Sequence, residues 1–198
     1  MELNAIMSQI KEELDRKDKR REEVFFLSRE IRRLSTKAVR EIHKQDFERA
    51  RELIDEAASL VSRLNSEDMN FRFMQESLQE YSEAAIAYAL LGKEDPPGFT
   101  ELGIPPEYYA LGLGDVVGEL RKHILDAIRT EHYDAADYFL ELMDEISHEI
   151  ISLDYPSAII PIRRKQDTAR VLLERTRGDV TIALNQAKLA KRIDRMNL

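Results

Sequence analysis

The forty-two residues from Leu3 to Lys44, LNAIMSQIKEELDRKDKRREEVFFLSREIRRLSTKAVREIHK, contain neither glycine nor proline, and neither occurs anywhere before Gly92. Glu, Arg, Leu, Ala and Lys dominate, apolar residues recur at helical spacing, and β-branched runs are missing. This stretch reads as one long first helix. Some forty helical residues extend about 60 Å at 1.5 Å per residue, longer than a small domain is wide. A helix of that length has to pack on several neighbours, or on another subunit, to bury its apolar stripe.

Working outward, Asp46 caps a second helix that reaches about Asn65, and Ser66 or Asp68 caps a third that ends at Leu91–Gly92. Gly92 to Pro106 (GKEDPPGFTELGIPP) is the one long loop expected, dividing a single domain of residues 1–198 into two halves. A fourth helix starts after Pro105-Pro106 and runs to about Arg129, and a fifth covers about Tyr133 to Leu153. Tyr155-Pro156 ends the fifth, Pro161 opens a sixth, and Gly178 separates it from a seventh over Asp179 to Arg195. No segment alternates with period two for long enough to make a strand. The expected fold class is therefore all-α, a seven-helix antiparallel array.

Composition narrows the function classes. The 198 residues include no cysteine, which removes disulfide scaffolds, thiolate zinc sites and cysteine nucleophiles and suits a reducing cytoplasm. The longest apolar run, Ala84 to Leu91, is far short of the roughly 20 residues that span a bilayer, and the N-terminus lacks the pattern of a signal peptide. A soluble cytoplasmic protein without a membrane partner is expected.

The formal net charge of −8 is unevenly placed. Residues 1–15 carry −3, residues 16–44 carry +6, residues 45–156 carry −17 and residues 157–198 carry +6. Sorting of this kind says more about partners than the total does. The run Arg16-Lys17-Asp18-Lys19-Arg20-Arg21 can be a solvated face laced with pairs to Glu12, Glu13, Glu22 and Glu23, or a phosphate-binding patch.

Several familiar sites are absent. Gly112, Gly114 and Gly118 have neither the spacing nor the preceding strand of a dinucleotide fingerprint, and no P-loop lysine follows. Within a helix, glycines at i and i+4 let another backbone come close. His43, His123, His132 and His148 are scattered, with His123 one turn beyond Glu119. What remains is acidic. The third helix carries Glu80 and Glu83 at i,i+3, with Glu76 a turn earlier, and the fourth carries Asp115 and Glu119 at i,i+4. Each pair lies on one helical face, so two crossing helices could converge four carboxylates. Oxygen-only sets suit Mg²⁺ or Mn²⁺, and such ions can activate water and stabilise the leaving oxygen in phosphodiester hydrolysis. The plain alternative is that these acids sit opposite the apolar stripes and are solvated. Against it, a turn beyond Glu83 the same face becomes Ala87 and Leu90, so it should be covered.

The stretch Phe71-Arg72-Phe73, followed by Leu78-Gln79-Glu80-Tyr81-Ser82-Glu83-Ala84, resembles the third helix of translin-family proteins, its LQEYxEA pattern being similar to the Trax branch. Leu111-Gly112-Leu113-Gly114-Asp115-Val116-Val117-Gly118-Glu119-Leu120-Arg121 resembles that branch's LGxxDLTGELxR segment. The resemblance covers about Arg20 to Leu189, departs from eukaryotic Trax in a shorter connection between the third and fourth helices and in short termini, and looks archaeal in that compactness. It implies a translin-like fold and a homo-oligomer, typically an octameric shell. It also implies binding of single-stranded RNA, with DNA as a further ligand, and Mg²⁺-dependent endoribonuclease activity. It places Glu80, Glu83, Asp115 and Glu119 as catalytic, metal-binding carboxylates. Arg20, Arg21, Arg29, Arg32, Arg33 and Lys37 on the first helix are the expected RNA-binding residues. Two rivals stand beside it: an all-α Mg²⁺-dependent nucleoside-triphosphate pyrophosphatase, which also uses paired helical acids, and a non-catalytic nucleic-acid-binding scaffold.

Overall fold

A computed structural model describes residues 2–196, and every element among them is helical. The order is α1 (Glu2–His43), α2 (Phe47–Val61), α3 (Ser66–Met69), α4 (Met74–Leu91), α5 (Phe99–Leu102), α6 (Pro106–Arg129), α7 (Tyr133–Ser152) and α8 (Arg163–Met196). The all-α reading holds, and α1 is unbroken as the glycine-free sequence requires. Among the described residues no helix is long and apolar enough to cross a membrane.

Local signals set several of the boundaries. The Asp46 side chain accepts from the Arg49 N–H and starts α2. Pro106 occupies the first turn of α6, where its missing N–H costs nothing. The division of helices differs from expectation in three places, the first being the single turn α5, which lies inside the stretch 92–106 expected to be loop. Residues 66–91 are not one helix, because Asn65 and Asp68 form a reciprocal capping box around the single turn of α3. The chain then turns so that Phe71 stacks on Phe73 with centroids 5.1 Å apart, and Phe73 meets Phe25 of α1 edge-on at 5.3 Å. Gly178 breaks nothing. It lies inside the continuous α8, where one glycine costs only about 1 kcal/mol. Its neighbours are held: Arg121 donates to Thr176 Oγ1 at 2.6 Å and to Asp179 at 2.9 Å, and Val180 is buried.

One hydrophobic core runs through the fold, from Val24 and Ile31 of α1 through Leu78 and Ile86 of α4 and Val116 and Ile124 of α6 to Phe139, Met143, Ala169 and Val180. Helices adjacent in sequence fold back on one another, as the short 44–46 turn does for α1 and α2. Through α2, this lays α4 alongside α1 in the same direction. Arg20–Asp68, Phe25–Phe73, Arg32–Glu76 and Thr36–Glu80 follow one another along the two chains. Helix α6 also packs on α4, and α7 and α8 pack on α6. The acid-bearing segments of α4 and α6 are thereby set face to face.

Candidate functional site

The meeting of α4 and α6 depends on Gly112. A Cβ there would come within 1.9 Å of Ser82 Oγ, 2.7 Å of the Gln79 carbonyl oxygen and 2.9 Å of the Glu83 amide nitrogen. The Ser82 hydroxyl donates back to Gln79 O at 2.9 Å, and Tyr108 O of α6 lies 3.0 Å from it. At Gly114 the same logic admits α8, since an added Cβ would lie 2.9 Å from Lys165 Cβ. At Gly118 nothing approaches within 4 Å, so that glycine has open space beside it rather than a packed neighbour.

This approach brings Glu80, Glu83, Asp115 and Glu119 into one cluster, in which each of the other three acids acts on Glu83. Glu80 faces α1, accepting from Thr36 Oγ1 at 2.6 Å and pairing with Arg32 at 3.3 Å. Asp115 accepts from the Gln79 amide and pairs with Lys165 of α8. Glu119 is only 7% exposed and sits between His43 Nε2 at the end of α1 and Lys122 Nζ, the latter at 2.7 Å. Glu83 has no side-chain hydrogen bond or ion pair among the described residues. Burial, then the charges of Asp115, Glu119 and Glu80, push its carboxyl up to about 8 against a weaker opposing pull from Lys165. These acids are not a solvated face. Ala87 and Leu90, the apolar continuation of that face, are buried as well.

The donor set suits a hard divalent cation. It is built from carboxylate oxygens, and one member, Glu83, has no hydrogen-bond or ion-pair partner of its own among the described residues. Among the described residues no three His, Asp or Glu side chains already stand in a ligating arrangement. Three of the four acids are held within the protein: Glu80 by Arg32, Asp115 by Lys165, and Glu119 by His43 and Lys122.

The six basic residues expected on α1 divide into two groups. Arg29, Arg32, Arg33 and Lys37 line one shallow groove together with Thr36 and Arg40. Arg32 and Thr36 belong both to the groove and to Glu80, so the groove opens directly beside the acids. Arg20 lies elsewhere, its guanidinium donating to the buried Asp68 and, at 3.2 Å, to the Arg63 carbonyl. That contact fastens α1 to α3. Arg21 pairs with Asp18 at 3.2 Å on an exposed part of α1. Sequence reasoning did not find Lys165, His43, Gln79, Thr36 or Arg40. Arg40 could have been reached, since it repeats the i+4 and i+7 spacing of Arg29, Arg33 and Thr36. Nothing local marks Lys165 or His43, which reach the site from helices distant in sequence.

No family model matches the chain. An uncharacterised protein of Methanocaldococcus jannaschii, MJ0175, is 33% identical over 190 residues, covering 93% of this chain and 86% of that one. The crystal structure of AfC3PO superposes with a TM-score of 0.84 at 27% identity, covering 92% of this chain and 98% of that one. A structure of AfC3PO in complex with duplex RNA gives 0.82 at 26% identity over the same shares of the two chains. With the LQEYxEA and LGxxD…GELxR segments meeting at Gly112, the chain belongs to the translin family and is Trax-like.

Proposed function

We propose that this protein is a Mg²⁺-dependent endoribonuclease that holds RNA on the α1 groove and cuts it at the four-carboxylate cluster, as a homo-oligomer that the family resemblance suggests is an octameric shell. The observation that carries this reading is the junction of two opposite charges. A groove of five cations on α1 opens at Arg32 and Thr36 onto Glu80, and behind Glu80 lie Glu83, Asp115 and Glu119. A polyanion lying in that groove would present its phosphates to the acids. The likeness to AfC3PO, a protein solved with duplex RNA, supports RNA as the polyanion.

Glu80, Glu83, Asp115 and Glu119 would hold Mg²⁺, with Mn²⁺ as a substitute. When bound, it would supply Lewis-acid activation of water and charge stabilisation at the phosphate. The chain's own residues do the rest. Arg29, Arg33, Lys37 and Arg40 bind phosphate oxygens without reading bases, so sequence preference should be weak. Arg32, released from Glu80, is placed to follow the backbone from groove to cluster. Lys165, held against Asp115 by the gap at Gly114, brings a cation to the cluster from α8. His43 fixes the orientation of Glu119 through its Nε2 contact.

The test is a substrate panel with and without Mg²⁺: labelled single-stranded RNA, duplex RNA, single-stranded DNA and free nucleoside triphosphates. Internal cleavage of RNA that needs the metal is the expected result. Turnover of triphosphates with intact RNA would favour the pyrophosphatase. Retention of RNA with no turnover in Mg²⁺ or Mn²⁺ would leave a binding scaffold.

A further inference from the structure

Both terminal helices run past the core and expose apolar residues there. In α1 the first buried residue is Val24, and every residue from 3 to 19 is exposed. Yet Leu3 and Ile10 stand in the same seven-residue register as the buried Val24, Ile31 and Ala38. With Ile6, Met7 and Leu14 they form an apolar stripe, each member between 43% and 70% exposed. The stripe that the core buries further along is therefore laid out in solvent on this arm. Among the described residues the last buried one of α8 is Val180; beyond it Leu184 still touches the core, whereas Ile182, Leu189 and Ile193 are 49% to 59% exposed. Short helices with an uncovered apolar face are marginal in water and gain their stability by packing.

The two arms differ in charge. Residues 1–15, which hold the whole α1 stripe, carry −3, with a +2 run at residues 16–19 between the stripe and the core, whereas residues 181–193 carry Lys188, Lys191 and Arg192 and no acid. Among the described residues, none of these three cations is paired within the chain, nor are Glu12 and Asp15. The apolar stripes also match in length, Leu3 to Leu14 and Ile182 to Ile193 each spanning about 17 Å at 1.5 Å per residue. They cannot meet within one copy. The far end of α1 lies at the α6–α7 turn, where His43 lines a groove with Thr130 and His132, so its free arm points the other way. Helix α8 runs antiparallel to α7, with Gln166 at Leu153 and Arg177 at Asp144, so its free arm points toward that turn.

We propose that the acidic apolar arm of α1 docks along the basic apolar arm of α8 in a second copy of this chain. The proposal rests on the reading of the protein as a homo-oligomer and says which surfaces build it. Each copy then gives one arm and receives one, a heterologous contact that repeats until a ring or shell closes. Matched apolar stripes supply the association, and opposite flanking charges choose an unlike arm over a like one.

The chain has no cysteine, which makes disulfide trapping clean. Ile10→Cys would be combined in turn with Ile182→Cys, Leu189→Cys and Ile193→Cys in the full chain, oxidised and run without reductant. At least one pair should yield covalent multimers larger than a dimer, while the single variants stay monomeric on the gel. Ile6→Asp with Ile10→Asp should lower the solution mass by light scattering at least twofold with helical circular dichroism retained. A wild-type oligomer in which no pair traps would overturn the docking and leave the oligomer reading standing. A monomeric wild type would overturn both. Ile10→Cys alone giving disulfide dimers would show like arms pairing and overturn it. So would an unchanged mass for the Asp variant. None of these readouts depends on RNA cleavage.

Discussion

Gly112 of α6 and Ser82 of α4 touch with no room for a side chain between them, a Cβ at 112 falling 1.9 Å from Ser82 Oγ. Two of that position's other near neighbours are backbone atoms of Gln79 and Glu83, so relief requires the helices themselves to part. Gly112→Ala should therefore destabilise by about 1–3 kcal/mol, the usual cost of overpacking, against a helix-propensity gain of about 1 kcal/mol. Gly118→Ala, with open space at its Cβ, should keep or raise stability. Urea unfolding of the pair decides it: equal midpoints would mean that the close approach does not constrain the helices.

The second prediction concerns the acids. Asp115→Asn and Glu83→Gln keep the volume of their side chains but remove the charge. Each should reduce metal-dependent RNA cleavage at least 100-fold while RNA retention in a filter assay stays within about twofold. Cleavage at wild-type rate by either variant would remove that residue from the site.

A third follows from Glu83, whose carboxyl burial and its three acidic neighbours push up to about 8 from 4.5. The folded protein then holds this proton more tightly than the unfolded chain does. The stability it contributes is full below about pH 4.5 and is lost as pH rises through about 8, on the order of a few kcal/mol over the window. In metal-free buffer the urea midpoint should fall between pH 5 and pH 8, and Glu83→Gln should flatten that slope. Millimolar Mg²⁺ should flatten it too, because a cation favours the ionised carboxylates. A metal-free wild type with the same pH slope as the Gln variant would contradict the assignment.

Two arginines on α1 should behave oppositely. Arg20 neutralises Asp68, which is 1% exposed, so Arg20→Ala leaves a buried charge and should cost about 3 kcal/mol of stability. Burial tends to raise the Asp68 carboxyl, but the Arg20 guanidinium and the Asn65 amide together hold it below its ordinary value. Arg29, in the groove, should instead act on binding. Arg29→Glu with Lys37→Glu should weaken RNA affinity at least tenfold and flatten its salt dependence by roughly two released ions, with little change in unfolding. A salt slope identical to wild type would clear the groove of phosphate contact.

Much of this was legible along the chain. The lack of glycine and proline before Gly92 marks α1, Asp46 marks the start of α2, and Pro106 opens α6. The paired spacing of Glu80 with Glu83 and Asp115 with Glu119 places each pair on one helical face. Where the reading failed, it failed on weak local signals. Gly178 looked like a stop but carries a penalty of only about 1 kcal/mol, which the tethering of Thr176 and Asp179 by Arg121 outweighs. The capping box at Asn65 and the Phe71–Phe73 stack cut off α3 where periodicity alone ran on.

The sequence by itself determined helices, their faces and which acids share a face, because those are properties of residues three or four apart. Only the tertiary structure decided which charges meet. Asp68 takes Arg20 from 48 positions away, Asp115 takes Lys165 from 50 and Glu119 takes His43 from 76. An ion pair forms where packing leaves two groups adjacent and partly shielded from water, and packing is set by the core as a whole. The same reason leaves Glu83 alone with its proton: four acids that the chain spaces into two pairs become one cluster only when Gly112 lets the backbones touch.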